Sequence, residues 1–202
     1  MDLFAANPEE NLLARDGQVF YHGPIMTPTQ ADAIFAQLFT EIPWENDTVR
    51  LFGKTITTAR KMAWFGERDF GYTYSGYTRH ARPWTPALRK IKSLIESRSL
   101  QKFNSCLLNL YHNGSEGMTW HSDDEKSLVG SSAIASLSLG AERPFSLKHR
   151  KFALREKIIL EHGSLLVMAG ETQTHWLHSI PKSKKIVAPR ISLTFRRMKD
   201  DD

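Results

Sequence analysis

The second half of the chain is a succession of short apolar segments with strand periodicity, and this feature restricts the fold more than any other. From Phe103 onward the segments are FNSCLLNLY, AIASLSLG, RPFSLKH, KIILEH, SLLVMAG, HWLHSIP and RISLTFRRM. In AIASLSLG the apolar residues alternate with serines, as expected for a strand with one buried face. The two segments around His162-Gly163 suggest a hairpin. Many short strands of this kind predict a double-sheet jelly roll.

Two helices are predicted ahead of these strands, each from a threonine followed by proline. Thr27 precedes a proline at the first helical position and Gln30 at the third, which is the signature of a capping box. Thr85 precedes a second proline in the same way and predicts the start of a second helix. We expect both helices to pack outside one sheet, so that the fold class is α+β, mostly β.

Length and composition favour one domain. The chain has 202 residues, of which 41% are hydrophobic and 24% charged, enough for one well-buried core. We therefore expect a single catalytic domain over residues 1–202, with a loose N-terminal arm at 1–16 and a jelly-roll core at 103–198. No apolar run approaches the roughly 18 residues of a membrane span, and the N-terminus lacks a signal-peptide core, so an intracellular location without a membrane partner is expected. A net charge of +5 permits nucleic-acid binding without demanding it.

A candidate metal site begins at the end of the first strand-rich stretch. His121 and Asp123 are one residue apart, so on an extended backbone both side chains project to the same side. The third ligand has to come from elsewhere, and HWLHSIP offers His175 and His178. Two histidines and one carboxylate that leave coordination positions open form the facial triad typical of non-haem Fe(II) oxygenases. Zinc accepts the same ligands, so a zinc hydrolase is an alternative.

A candidate anion site follows in the last strand. Arg190 and Arg196 are six residues apart and share a strand face with Ser192 and Thr194. Such a face suits a small dicarboxylate, because arginine binds carboxylates in bidentate fashion. A zinc hydrolase has no use for the two arginines, and a non-catalytic nucleic-acid-binding module leaves them unexplained.

Taken in order, these residues resemble the AlkB family of Fe(II)- and 2-oxoglutarate-dependent nucleic-acid dealkylases, close to the animal members that repair alkylated DNA. The resemblance covers residues 49–198 and rests on His121-x-Asp123, His178, Arg190 and Arg196, with Asn109 and Tyr111 upstream. It implies a double-stranded β-helix in which His121, Asp123 and His178 bind Fe(II). It also implies that Asn109, Tyr111, Arg190 and Arg196 bind 2-oxoglutarate, with Arg196 counted among the catalytic residues as well.

The activity implied by the resemblance is oxidative demethylation of bases such as 1-methyladenine and 3-methylcytosine in DNA. Fe(II), 2-oxoglutarate and O2 are the expected cofactor and co-substrates, and formaldehyde, succinate and CO2 the products. Single- and double-stranded DNA, and RNA in addition, are the expected partners of a monomer located in the cytoplasm of a bacterium or the nucleus of a eukaryote. The alternative within the superfamily is an oxygenase that acts on RNA or on a protein side chain.

Residues 45–80 correspond in the resemblance to a nucleotide-recognition lid. From the residues alone VRLFGK is an ordinary turn, and the two tyrosines of GYTYSG are a half-buried pair. The family instead implies that Phe52 wedges into a duplex and that Tyr74 stacks on the damaged base opposite His121. The complete set of expected substrate contacts is Phe52, Arg60, Tyr72, Tyr74, Ser75 and Glu125.

Overall fold

The computed structural model describes three stretches of the chain. These are residues 7–51, 54–74 and 77–199, with the backbone alone at 47–51, 54–56, 72–74 and 77–79. Among the helices in these stretches, none has the length and apolar character needed to cross a bilayer.

Strands make up most of the regular structure. The strands are β1 (Gln18–Pro24), β2 (Glu45–Leu51), β3 (Lys54–Gly66), β4 (Gly71–Tyr74), β5 (Tyr77–His80), β6 (Arg82–Pro83), β7 (Ser105–Tyr111), β8 (Met118–His121), β9 (Ile134–Gly140), β10 (Arg143–His149), β11 (Arg155–Leu160), β12 (Ser164–Ala169), β13 (Trp176–Ile180) and β14 (Arg190–Arg196). The helices are α1 (Pro28–Glu41), α2 (Pro86–Ser99) and the single turn α3 (Thr172–His175).

Two antiparallel sheets form the body of the protein. The larger has the strand order β1-β12-β9-β14-β7-β3-β2, with β6 pairing in parallel with β3, and the smaller has the order β11-β10-β13-β8. Apolar residues of both sheets pack in one cluster, in which Val19, Leu166 and Met168 of the larger sheet meet Phe145 and Trp176 of the smaller. The sheets therefore face each other across a shared core, an arrangement that fits a jelly roll.

The helices pack against the larger sheet. Leu38 of α1 and Ile91 of α2 belong to the same buried cluster as Leu137 and Leu193 of that sheet. Local sequence explains where each helix begins. Thr27 accepts a hydrogen bond from the Gln30 amide at 3.3 Å while the Gln30 side chain accepts one from the Thr27 amide, and the Thr85 hydroxyl accepts one from a backbone amide in the first turn of α2.

The hairpin expected around His162-Gly163 is wrong. Strand β11 pairs with β10 in the smaller sheet, whereas β12 pairs with β1 and β9 in the larger one. The turn residues therefore carry the chain from one sheet to the other. A glycine in a turn marks a change of direction but does not specify the partner of the next strand, which explains the error.

The expectation of a loose arm at residues 1–16 is wrong for residues 12–16, which are held against the body of the protein. Leu13 is 4% exposed and packs in the core between the sheets. The Leu12 amide donates to the carbonyl of Val19 at 2.9 Å, and the Trp176 indole donates to the carbonyl of Arg15 at 3.1 Å. Burial of the apolar pair at 12–13 outweighs the polar composition of the segment. Residues 1–6 lie outside the described part of the chain.

Candidate active site

A cavity of about 680 Å³ lies between the two sheets and contains most of the residues singled out from the sequence. The larger sheet contributes Arg60, Asn109, Tyr111, Arg190, Ser192, Thr194 and Arg196, and the β8–β13 side contributes His121, Asp123, Glu125 and His178. The cavity therefore brings the candidate metal ligands and the candidate anion-binding residues into one site.

Two neighbouring strands of the smaller sheet place the histidines side by side. His121 ends β8 and His178 lies directly opposite it in β13, so both imidazoles project from the same face of the sheet. Their ring centroids are 4.2 Å apart. One ligand atom from each of His121, Asp123 and His178 lies within 4.8 Å of the others, a spacing suited to a single metal ion. His175, the other candidate, lies in α3 and outside this group.

Asp123 lies two residues beyond the end of β8 at His121, so strand pairing does not hold its backbone. The Asp123 amide instead donates a hydrogen bond of 2.9 Å to the side-chain oxygen of Gln173 in α3. Gln173 therefore anchors the backbone that carries the carboxylate. Sequence reasoning missed this residue, since a glutamine three positions after a glycine carries no distinctive signal.

The surroundings of His121 and His178 set which ring nitrogens can bind a metal. His178 is 5% exposed and stacks on Phe145 at 5.3 Å, and burial lowers the pKa of its imidazole to about 4 although Asp123 opposes this. The ring is therefore neutral at pH 7. The Nδ1 of His121 lies 2.8 Å from the carbonyl oxygen of Thr119, which can only accept, so Nδ1 carries the hydrogen and Nε2 is left as the ligand atom.

Asp123 is held ionised by its neighbours. Burial alone would raise the pKa of the carboxyl, but Arg196, whose Nη2 lies 2.8 Å from Oδ2, outweighs burial together with the two imidazoles and lowers the pKa to about 2. Burial opposes the charge of Arg196 as well, yet Asp123 and Glu125 keep the pKa of the guanidinium above its ordinary value. The carboxylate is therefore available as a metal ligand at neutral pH.

Arg190 is the other arginine of the predicted pair and has very different surroundings. It is 1% exposed and donates through Nη2 to Ser138 and Ser192, at 2.8 and 3.3 Å. Its Nε and Nη1 are buried and have no hydrogen-bond partner among the described residues. Burial lowers the pKa of the guanidinium to about 10; Tyr111 counteracts this effect and Arg143 adds to it. A buried cation with unused donors fits an anionic ligand such as a carboxylate.

Strand β7 completes this end of the cavity. It pairs with β14 in a register that sets Tyr111 opposite Arg190 and Asn109 opposite Ser192. The ring of Tyr111 lies 5.4 Å from the Arg190 guanidinium. The amide, the phenol and the two arginines thus line one wall, as the even spacing along each strand predicts.

The expected substrate contacts are only partly within the described structure. Arg60 and Glu125 line the cavity, and Glu125 has a buried oxygen without a partner in the described stretches. Tyr72 and Tyr74 lie in β4, where the backbone alone is described. Phe52 and Ser75 lie outside the described residues, so the roles of these four residues stay predictions.

Apolar residues of the cavity were missed by the sequence reasoning. Met62 and Trp64 follow Arg60 at intervals of two along β3 and also line the cavity. The period of two would have revealed them once Arg60 was placed inward. Residues 61–66 pair with β7 in the larger sheet, so this part of the predicted 45–80 lid belongs to the wall of the cavity.

Comparisons with known proteins agree with this geometry. The family model of the 2OG-Fe(II) oxygenase superfamily matches residues 17–196. Human DNA oxidative demethylase ALKBH2 is 36% identical over 205 residues, which cover 96% of this chain and 78% of the relative. Bovine alpha-ketoglutarate-dependent dioxygenase alkB homolog 3 is 41% identical over 182 residues, which cover 85% of this chain and 63% of the relative.

Solved structures agree on the fold. The structure of OsALKBH1 superposes with a TM-score of 0.62 at 16% identity, over 92% of this chain and 98% of that one. A 2OG-Fe(II) oxygenase family protein from Burkholderia pseudomallei superposes with a TM-score of 0.55 at 13% identity, over 90% of this chain and 84% of that one. With the matched family model and relatives, the chain belongs to the AlkB family of Fe(II)- and 2-oxoglutarate-dependent dioxygenases.

Proposed function

We propose that the protein repairs DNA by oxidative demethylation of N-alkylated bases of the 1-methyladenine and 3-methylcytosine type. One observation carries the proposal: a His-Asp-His group and a buried arginine with unused donors share one cavity, in a chain 36% identical to a DNA oxidative demethylase. A zinc hydrolase would use the first feature and leave the second without a purpose.

In this proposal His121, Asp123 and His178 hold Fe(II). Bound iron and 2-oxoglutarate supply the oxidation by O2 that removes the methyl group as formaldehyde and leaves succinate and CO2. The hydrogen bond to Thr119 directs the Nε2 of His121 to the metal, and the neutral His178 binds it without a prior loss of a proton.

The co-substrate site is proposed on the wall formed by β7 and β14. Arg190 pairs with the distal carboxylate of 2-oxoglutarate, because its Nε and Nη1 are unused donors and, unlike Arg196, it has no carboxylate partner in the described stretches. Arg196 keeps Asp123 ionised and in place while it faces the near carboxylate. Asn109 and Tyr111 complete the cradle from β7.

The substrate base enters from the side of residues 45–80, which we propose act as a recognition lid. Glu125 and Arg60 contact the base within the cavity, and Glu125 offers an unused carboxylate oxygen to an exocyclic amine. Phe52, Tyr72, Tyr74 and Ser75 are proposed as the remaining contacts, with Phe52 as the wedge that opens a duplex.

The domain organisation, the oligomeric state and the role of the two long helices also belong to the proposal. Residues 1–202 act as one intracellular catalytic domain and as a monomer, in which α1 and α2 brace the outer face of the larger sheet. The support for this bracing is the buried cluster that the helices share with that sheet.

The proposal is tested with synthetic oligonucleotides that carry 1-methyladenine or 3-methylcytosine, single-stranded, in duplexes and in RNA. They are incubated with the protein, Fe(II), ascorbate and O2, with and without 2-oxoglutarate, and methyl loss is followed by mass spectrometry. We expect loss that requires both iron and 2-oxoglutarate. Slow consumption of 2-oxoglutarate without methyl loss would refute the substrate, and no consumption with iron bound would refute the oxygenase.

The same assay tests the lid. Phe52→Ala is expected to reduce turnover of duplex DNA more than that of single strands, because only a duplex requires a wedge. Equal losses on both substrates would make Phe52 part of the scaffold.

A further inference from the structure

A second buried arginine lies near the candidate co-substrate site and is not among its lining residues. Arg143 begins β10 and is 1% exposed. Its Nη2 donates to the carbonyls of Glu116 and Pro181 at 2.8 and 2.9 Å, and its Nη1 to the carbonyl of Asn113 at 3.4 Å. These acceptors lie in two loops, one between β7 and β8 and the other between β13 and β14.

The two loops are already joined without Arg143. The Gly114 amide donates to the carbonyl of Ile186 at 2.7 Å, and the Ser183 amide donates to the carbonyl of Gly114 at 2.8 Å. Burying a charge is costly, and backbone carbonyls compensate it less well than a carboxylate does. Closing the loops therefore does not by itself account for a charged residue at this position.

The charge of Arg143 lies close to that of Arg190. The Arg143 guanidinium carbon is 5.7 Å from the ring centroid of Tyr111, and that of Arg190 is 5.4 Å from the same centroid. The two guanidinium carbons are therefore within about 11 Å of each other. In the described stretches, no carboxylate lies within 4 Å of either guanidinium, so this end of the cavity holds two buried positive charges around one phenol.

We propose that Arg143 is a specificity-determining positioning residue, whose buried charge behind Tyr111 makes the co-substrate site select a dianionic 2-oxo acid over a monoanionic one. The inference rests on the proposed 2-oxoglutarate site at Arg190. Arg143 acts without touching the ligand, since it is absent from the cavity wall. A carboxylate paired with Arg190 would lie on the order of 10 Å from the Arg143 guanidinium. At that separation in a protein interior, the attraction between the two charges changes the binding constant of the ligand by roughly tenfold. Arg143 also contributes to the lowered pKa of Arg190, as expected if the two charges interact.

The test compares two ligands that differ at the distal end alone. 2-Oxoglutarate has a carboxylate there and 2-oxovalerate a methyl group. Their dissociation constants are measured by calorimetry on the full chain loaded with Mn(II), without nucleic acid, and the readout is the ratio of the two constants. A residue that only supports the fold would weaken both ligands together and leave the ratio unchanged.

Arg143→Gln is expected to lower the selectivity for 2-oxoglutarate roughly tenfold, because it removes the charge. Arg143→Lys keeps the charge and is expected to keep most of the selectivity even if the loops loosen. Arg155→Gln removes an exposed arginine from the neighbouring strand β11 and serves as the matched control, with no change expected. An unchanged ratio in Arg143→Gln would overturn the proposal, and so would equal losses of selectivity in the glutamine and lysine variants.

A second variant covers the case in which Arg143→Gln does not fold. The Glu116 side chain stabilises the charged form of Arg143, while the hydrogen bond between the two residues involves the Glu116 backbone carbonyl. Glu116→Gln should therefore keep that bond and raise the selectivity about twofold, because it removes a negative charge that partly offsets that of Arg143. A ratio equal to that of the wild type would overturn the proposal. If the wild type binds neither 2-oxo acid, the proposed co-substrate site fails, whatever Arg143 does.

Discussion

Replacing Arg190 by methionine is expected to stabilise the ligand-free protein while it abolishes the binding of 2-oxoglutarate. The side chain is 1% exposed, two of its three nitrogens have no partner among the described residues, and burial lowers its pKa. Methionine is unbranched and adaptable and can fill much of the same volume. The substitution therefore removes a charge that the folded protein holds at a cost until a ligand arrives.

The magnitude follows from the pKa. Lowering the pKa of Arg190 from 12.5 to about 10 corresponds to about 3 kcal/mol, at about 1.36 kcal/mol for each pH unit. Because the group is charged in both the folded and the unfolded state at pH 7, the whole difference acts against folding there. Loss of the hydrogen bonds to Ser138 and Ser192 offsets about 1 kcal/mol each. A net gain of about 1 kcal/mol in the free energy of unfolding remains.

The assay is urea unfolding of the metal-free, 2-oxoglutarate-free protein at pH 7.5, with Arg155→Met as the control for loss of an exposed arginine. The control should change the free energy of unfolding by less than about 0.5 kcal/mol. In a second series, Mn(II) and 2-oxoglutarate at about 100 times the dissociation constant should stabilise the wild type by about 2.7 kcal/mol, and Arg190→Met should not respond.

Two results would refute the reasoning. A ligand-free Arg190→Met protein that is less stable than the wild type by more than about 1 kcal/mol would mean that the buried charge is compensated after all. A normal response to 2-oxoglutarate would remove Arg190 from the co-substrate site.

Three further predictions concern the metal ligands. Asp123→Ala should abolish turnover, weaken metal binding and leave the fold intact, and an unchanged Mn(II) affinity in calorimetry would contradict the triad. Gln173→Leu should weaken Mn(II) binding about 10- to 100-fold, because the Asp123 amide loses its acceptor. The control Gln37→Leu, at an exposed glutamine of α1, should leave the affinity unchanged. Equal Mn(II) affinities of Gln173→Leu and the wild type would contradict the anchoring role. Since the pKa of His178 falls from 6.5 to about 4 on folding, the metal-free protein should lose up to about 3 kcal/mol as pH falls from 6.5 to 4. Urea unfolding of His178→Gln across the same range should show a smaller loss.

Elements with a local chemical signal were predictable from the sequence. The start of α1 follows from the capping box at Thr27, and the shared face of Arg190 and Arg196 follows from a period of two that needs no tertiary information. The pairing of His121 with Asp123 is also predictable, because a carboxylate two positions after a histidine stays close to it even where β8 ends at His121.

Features that depend on which segments meet in space were not predictable. The turn at His162-Gly163 carries no information on strand partners, so the sequence predicts a hairpin where the chain crosses between the sheets. Gln173 acts on Asp123 across 50 positions of sequence, and nothing in its local pattern marks it. Arg143 resembles any other arginine in a strand until the fold buries it. In each case the missing information was a long-range contact.

The contrast between Arg190 and Arg196 shows how the fold assigns different tasks to identical side chains on one strand face. Arg196 is neutralised within the protein, because Asp123 lies 2.8 Å away, and its pKa rises. Arg190 donates to two serine hydroxyls and lies beside the Tyr111 ring, but it has no carboxylate partner among the described residues, and its pKa falls. A second carboxylate stabilises an already paired arginine only slightly. A carboxylate that binds to a buried arginine without such a partner offsets most of the free-energy cost of burying the charge. The cost of burying the Arg190 charge is therefore offset only when an anionic ligand binds. Discrimination among 2-oxo acids should accordingly depend on Arg190 and its neighbours more than on Arg196.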